Sequence, residues 1–126
     1  MPRFGSTLAV VVAGGALGTL LRIGVDALIS EVGGTLVWSL VLVNVIGAFS
    51  LGWFISHGHQ HGGHHPLVHA FVAAGVLGAF TTFSGYAVEA MELTRHGETV
   101  RALLFALGSI GVGVASANLG RWMGER

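Results

Sequence analysis

Four long apolar stretches, separated by short polar ones, make up nearly the whole chain. They run over about residues 7–29, 35–56, 67–93 and 100–123. Each reaches the ~20 residues that a helix needs to cross a hydrocarbon core. The pattern therefore predicts an all-α integral membrane protein with four transmembrane helices in a single domain, residues 1–126. Because the connections are short, neighbouring helices are expected to run antiparallel in an up-down-up-down bundle.

The composition agrees with a membrane location. Hydrophobic residues make up 52% of the chain and charged residues 10%, against about a quarter charged in soluble domains. The chain has no cysteine, which excludes disulfides, thiolate catalysis and cysteine-bound metals. It also lacks the basic patch that nucleic-acid binding needs. No nucleophile–base pair or pair of acids falls at one membrane depth, so an enzyme is not predicted.

The positive charges are divided evenly between the two ends of the predicted bundle. There is no lysine, and the six arginines lie three at each end: Arg3, Arg121 and Arg126 at one, Arg22, Arg95 and Arg101 at the other. Arginine bias normally sets orientation, so an even division favours insertion in both orientations. Alternatively, one arginine dominates or a partner fixes the topology. Two copies in opposite orientations can associate about a two-fold axis in the membrane plane, like the inverted repeats of transporters.

Two features inside the spans are costly in lipid. Asn44 lies near the middle of the second span, where an interhelical hydrogen bond or a polar pathway would each explain it. The third span is interrupted by Gly78-Ala79-Phe80-Thr81-Thr82-Phe83-Ser84-Gly85, a poor helix centre. Such a break is tolerated at membrane depth only where protein or a cavity surrounds the freed backbone groups. The segment is therefore either a functional break or a kink filled by side chains.

Charged residues also lie near the ends of spans. Arg22 and Asp26 are four residues apart on one helical face and can pair with each other. A guanidinium at a pore mouth would instead raise the local concentration of anions. Phe105 and Ser109 share one face of the fourth span with Ser116, and such a stripe is more typical of packing than of a pathway.

Three motifs in their order along the chain resemble the Fluc (CrcB) family of fluoride channels. The first span carries a glycine-rich opening that ends in arginine, Gly14 to Arg22. The second carries Asn44-Val45-Ile46-Gly47-Ala48-Phe49 followed by Gly52. The third carries Gly78-Ala79-Phe80-Thr81-Thr82-Phe83-Ser84, the most specific of the three.

The resemblance implies a dual-topology antiparallel homodimer with two pores. It also implies a structural sodium ion at the two-fold axis, held by the backbone carbonyls of Gly78 and Thr81 from both subunits. Carbonyl oxygens suit a hard cation. The expected activity is passive, fluoride-selective export across a bacterial-type plasma (inner) membrane, in which the protein is multi-pass.

The resemblance also implies which side chains meet fluoride. Asn44 matches the pore asparagine, and Phe83 matches the first of two pore phenylalanines. At the second such position stands Tyr86, and Phe105 replaces the family's usual tyrosine, so both aromatic positions depart from the pattern. The remaining expected residues are a hydroxyl track of Ser84 and Ser109, and vestibule residues Arg22 and Glu89.

Two other interpretations are open. A histidine-rich tract, His57 to Pro66, is either a solvated loop or a binding site for Zn²⁺, Ni²⁺ or Cu²⁺. A proton-coupled small multidrug transporter also has four short spans and dual topology. That mechanism calls for an acid deep in the first span, where residues 8–21 contain none.

Overall fold

A computed structural model describes all 126 residues and contains helices alone. Helix α1 spans Phe4–Glu31, α2 spans Leu36–Gln60, and the last helix, α6, spans Thr99–Gly124. Between α2 and α6 lies the third span, Pro66–Arg95, which is divided into shorter pieces. All four spans are long and apolar enough to cross a membrane, which confirms the four predicted helices.

Glycines with positive φ make the three connections. Gly33 turns the chain after α1 at φ 76°, and Gly97 turns it before α6 at φ 77°. Gly62 and Gly63, at φ 83° and 89°, lie between α2 and the third span. These left-handed conformations carry little steric cost only for glycine. The chain can therefore reverse direction between successive helices within a few residues.

The third span is broken, as the sequence predicts. It begins with α3, Pro66–His69, and continues as a π-helical segment, Ala70–Leu77, and a short turn, α4, Gly78–Phe80. The helix then stops, because Thr81 is extended at φ −82° and ψ 159°. Helix α5, Ser84–Arg95, resumes after the break.

Two close helix pairs form the subunit. Helix α1 packs on the π-helical segment, where a Cβ on Gly14 would lie 3.0 Å from Gly75 Cα. Helix α2 packs on α6, where a Cβ on Gly120 would lie 2.9 Å from the Phe49 carbonyl carbon. These glycines let backbones approach closely, as small residues do between membrane helices. A Cβ on Gly113, by contrast, would meet nothing within 4 Å, so the Ser109–Gly113 pair is not a close contact within the subunit.

Most of the apolar surface is uncovered. Only 14 of 126 residues are buried, so the core is confined to a few side chains such as Leu40, Val43 and Phe80. A soluble protein of this size buries far more of its surface. The exposed leucines, valines and isoleucines therefore need lipid or another chain against them.

The second helix extends four residues beyond the predicted span and includes the start of the histidine tract. It ends at Gln60, so His57 and His59 lie in its last turn. Basic side chains in a last turn interact favourably with the negative end of the helix dipole. The connection is thus limited to residues 61–65.

Candidate functional site

The break in the third span is held by the side-chain amide of Asn44. Asn44 Nδ2 donates a hydrogen bond to the Thr82 carbonyl at 2.8 Å. The Thr82 amide donates in return to Asn44 Oδ1, also at 2.8 Å. The backbone groups freed by the break are therefore partly satisfied from α2, as an irregular segment at membrane depth requires.

The break leaves the carbonyls of Gly78 and Thr81, and that of Ala79, without their helical donors. In a continuous helix the amide of residue 82 would donate to the carbonyl of Gly78. That amide is instead bound to Asn44. The Gly85 amide, which would donate to the Thr81 carbonyl, bonds to Thr82 Oγ1 at 3.1 Å. Gly78 and Thr81 are the two residues that the family resemblance assigns to sodium.

A cavity of about 320 Å³ brings the same two residues together. Gly78 and Thr81 line it with Asn44 and Gly47, and the remaining wall is largely aliphatic. The glycine at position 47 leaves room there, since a Cβ would collide with the Thr81 methyl. Carbonyl oxygens without amide partners are the ligand type that a hard cation prefers. The chemistry of this wall therefore fits a sodium ion.

A second cavity, of about 400 Å³, lies on the α1 and α5 side of the break. Arg22, Asp26 and Glu89 line it with Thr82 and Ser84. The predicted vestibule residues Arg22 and Glu89 therefore share one polar cavity that reaches the break.

Arg22 and Asp26 do not form the ion pair that their spacing allows. The three ion pairs of the chain join Arg95 to Glu92, Arg101 to Glu98 and Arg121 to Glu125. Asp26 accepts a short hydrogen bond from Ser39, a buried residue of α2. The Arg22 guanidinium is thus free of a direct carboxylate contact.

The two phenylalanines of the break differ in their surroundings. Phe80 is buried, whereas Phe83 is 84% exposed and projects from the subunit. A large aromatic side chain at the centre of a span is available for an ion path or another subunit. The structure thus leaves Phe83 free for the pore role that the resemblance implies.

The two residues that depart from the family pattern touch each other. Tyr86 and Phe105 meet edge to face, with ring centroids 5.3 Å apart and an interplanar angle of 69°. Compared with the family pattern, the tyrosine and the phenylalanine have changed places within one contacting pair. The pair therefore keeps one hydroxyl, which is carried by residue 86 instead of residue 105.

This contact can be tested with a double-mutant cycle. We expect Tyr86→Leu and Phe105→Leu to show a coupling of about 1 kcal/mol in the free energy of unfolding, because edge-to-face aromatic pairs contribute that much beyond burial. Unfolding in mixed detergent micelles measures it. Additive effects of the two substitutions would show that the rings do not touch.

The predicted hydroxyl track is partly occupied by local hydrogen bonds. Ser109 Oγ donates to the Phe105 carbonyl in its own helix at 2.5 Å. Ser84 Oγ lies 3.1 Å from Thr82 Oγ1, and both residues line the vestibule cavity. Ser84 is therefore better placed than Ser109 to donate to an anion.

The histidines do not converge on a metal site. No group of three or more histidine or carboxylate side chains is positioned to hold a metal ion. The ring of His64 instead stacks on Phe54, with centroids 4.0 Å apart, and its Nε2 contacts the Phe54 carbonyl at 2.9 Å. His65 Nδ1 accepts from the Leu67 amide at the start of α3. Part of the tract thus anchors the connection.

Sequence reasoning did not identify two contributors to the site. Thr82 contacts Asn44 through its backbone and Gly85 through its hydroxyl. Ser39 provides the partner of Asp26. The Thr-Thr pair beside the glycines was a signal for Thr82, whereas a lone serine in an apolar helix gave none for Ser39.

Four apolar spans, with the third one broken and a cavity on each side of the break, define a multi-pass membrane protein. The family described as "CrcB-like protein, Camphor Resistance (CrcB)" matches residues 9–121. The chain belongs to this family, which confirms the resemblance seen in its motifs.

Several proteins are similar over nearly their whole length. The "Fluoride-specific ion channel FluC" of Thermus thermophilus is 41% identical over 90% of this chain and 91% of its own. Proteins of the same name from Aquifex aeolicus and Rhizobium meliloti are 34% and 33% identical. These alignments cover 91% and 90% of this chain, and 94% and 91% of the relatives.

Proposed function

We propose that this chain forms a fluoride-selective ion channel that exports cytoplasmic fluoride passively. Family membership and relatives named as fluoride-specific channels support this function. The observation that carries it within the chain is the break, where Asn44 binds the Thr82 backbone, Phe83 is exposed and Ser84 lines the vestibule cavity. The function is transport, which requires no catalytic group.

The pore chemistry follows from the properties of fluoride. The ion is small and holds its water tightly, so a pore must replace that water yet bind the ion weakly enough to release it. One N–H of Asn44 is engaged with Thr82, and the amide has a second one to offer. The edge of an aromatic ring carries partial positive charge, which lets Phe83 contact an anion without a full cation.

The vestibule cavity also supports weak binding and release of an anion. Arg22 attracts anions toward the break, because its guanidinium is not paired directly with a carboxylate. Asp26 and Glu89 line the same cavity, so two carboxyl groups stand beside one guanidinium. An anion would therefore be held only weakly at Arg22 and would not be trapped.

The assembly we propose is an antiparallel homodimer in a bacterial-type inner membrane. The even division of arginines removes the usual bias of orientation. Phe83 and Gly78 are both exposed on the lone subunit, although each belongs to the break. A second subunit in the opposite orientation would cover these residues and enclose the ion paths.

A structural sodium ion fits the centre of such a dimer. The carbonyls of Gly78 and Thr81 lack their helical amide donors, and two subunits would supply four such oxygens. Oxygen ligands of this kind suit a hard cation. The ion would join the two broken helices at the two-fold axis and balance the dipoles of the exposed carbonyls.

Export of this kind needs no coupled energy source. Fluoride enters cells as neutral hydrofluoric acid and dissociates inside. An inside-negative membrane potential favours outward movement of an anion by about 2.3 kcal/mol per 100 mV. A selective passive pore is therefore sufficient to lower cytoplasmic fluoride.

Release of fluoride from liposomes that contain the purified protein tests the proposal against the transporter alternative. We expect fluoride release once valinomycin provides a counter-current of potassium, and no uptake of a cationic dye under a proton gradient. Dye uptake without fluoride release would establish the proton-coupled multidrug transporter instead. Protein-free liposomes provide the background rate.

The exposed histidines are expected to be dispensable for transport. Replacing His59 and His61 together with glutamine, while the His65 that caps α3 is kept, should change the rate of fluoride release by less than about twofold, as exposed substitutions outside a site usually do. His64 is retained because it packs on Phe54. A tenfold slower release would show that the tract belongs to the pathway.

A further inference from the structure

The side-chain amide of Asn44 is bound to the backbone of a single residue, and both of its observed hydrogen bonds go to Thr82. The pairing fixes the orientation of the side-chain amide, because a carbonyl can only accept and a backbone amide can only donate. The two residues are 38 positions apart in the sequence. A side chain of α2 therefore replaces the helical partners of the broken third span.

Without this contact the third span could close the break by forming a continuous helix. The amide of Thr82 is the group that would donate to the Gly78 carbonyl in a continuous helix. Asn44 Oδ1 holds that amide at 2.8 Å, so it is not available to Gly78. The Gly78 carbonyl is thus left without its helical donor, and Gly78 lines the 320 Å³ cavity.

We infer that Asn44 is a positioning residue of the sodium site. By holding the backbone amide of Thr82, it keeps the Gly78 carbonyl directed at the cation. The inference rests on the sodium site proposed above. Asn44 does not ligate the ion in this role and acts through the backbone of Thr82. Its second N–H remains available to fluoride, so one side chain serves both the cation site and the anion path.

The second carbonyl of the site is freed by a different contact. The Gly85 amide bonds to Thr82 Oγ1 at 3.1 Å and not to the Thr81 carbonyl. Asn44 makes no hydrogen bond to Gly85 or to the Thr81 carbonyl, so loss of the Asn44 amide is expected to weaken sodium binding rather than abolish the break. Groups that orient metal ligands in this indirect way typically change metal affinity by about 10–100-fold when removed.

The test measures the sodium dependence of dimer stability separately from transport. The thermal stability of the purified protein in detergent is followed as sodium replaces N-methylglucamine at constant ionic strength. We expect wild type to be stabilised by sodium, and Asn44→Ala to raise the half-saturating sodium concentration by about tenfold or more. Fluoride release from liposomes is measured in parallel for each variant.

Two further variants separate positioning from contact with fluoride. Asn44→Asp keeps an oxygen acceptor for the Thr82 amide, so its half-saturating sodium concentration should rise by less than about tenfold. Its carboxylate should nevertheless suppress fluoride release by repelling the anion. Phe83→Ala should slow fluoride release by about tenfold or more. It should keep the wild-type sodium response, since Phe83 takes no part in the hydrogen bonds between Asn44 and Thr82.

Three results would overturn the inference. The first is an Asn44→Ala variant with the half-saturating sodium concentration of wild type, which would limit Asn44 to the anion path. The second is loss of the sodium response in Asn44→Asp. The third is a wild-type protein that releases fluoride but shows no sodium response, which would remove the sodium site while leaving the channel function intact.

Discussion

Phe83→Ala should slow fluoride release from liposomes by about tenfold or more, because a loss of about 1.4 kcal/mol at the transport barrier has that effect. The side chain is 84% exposed on the subunit, so its removal leaves little cavity in the core. We therefore expect normal expression and a folded subunit, and dimer formation is checked separately by size-exclusion chromatography because the partner subunit would cover Phe83. The loss would come from the pathway, where no other exposed aromatic ring adjoins the break.

Phe4→Ala is the matched control for this prediction. Phe4 is also 84% exposed, but it lies at the start of α1, far along the chain from the break. The same atoms are removed at the same exposure, and release should stay at the wild-type rate. Equal slowing in both variants would indicate a general effect of losing surface phenylalanines and would remove Phe83 from the pore.

Gly18→Ala should destabilise the subunit by about 2 kcal/mol, the usual cost of overpacking a close contact. A Cβ at Gly18 would meet the backbone of the third span, 2.9 Å from the Val76 carbonyl carbon and 3.1 Å from the Phe80 amide nitrogen. Backbone cannot move aside as a flexible side chain can. The added methyl should therefore separate α1 from the span just before the break and slow fluoride release as well.

Gly15→Ala provides the comparison for Gly18→Ala. It lies in the same helix, and a Cβ there would meet nothing within 4 Å. Because alanine is the better helix former, stability should be unchanged or slightly higher. Titration of unfolding with a denaturing detergent measures both variants. A small loss at position 18, or equal losses at both positions, would contradict the close packing of α1 on the third span.

The four spans and the break could be predicted because each has a strong local signal. Long apolar stretches are required by the thickness of the bilayer and are readily recognised. Glycines and adjacent threonines within such a stretch oppose a regular helix, and the chain is extended at Thr81. The predicted end of the second span lies four residues too early, because α2 continues to Gln60 through residues that are not apolar.

Contacts between distant residues could not be predicted in the same way. The pairing of Asn44 with the Thr82 peptide depends on the register between α2 and the third span. The edge-to-face contact of Tyr86 with Phe105 likewise depends on how α5 meets α6. Sequence spacing allowed an Arg22–Asp26 pair, whereas in the structure Asp26 accepts from Ser39 of the neighbouring helix. Tertiary partners outcompeted the local one.

The exchange of tyrosine and phenylalanine shows what the tertiary contact adds. Considered separately, Tyr86 and Phe105 are two departures from the family pattern. In the structure they are one contacting pair, with ring centroids 5.3 Å apart. The pair keeps one hydroxyl and two rings, so we expect the aromatic lining beside Phe83 to remain functional.

The measurement that tests the proposed function most directly compares fluoride with chloride in the same liposomes, each loaded as its potassium salt and released by valinomycin. The account predicts that fluoride leaves about a hundredfold faster than chloride, which corresponds to a barrier difference of about 2.7 kcal/mol. Chloride release at a rate equal to that of fluoride would contradict a fluoride-selective channel.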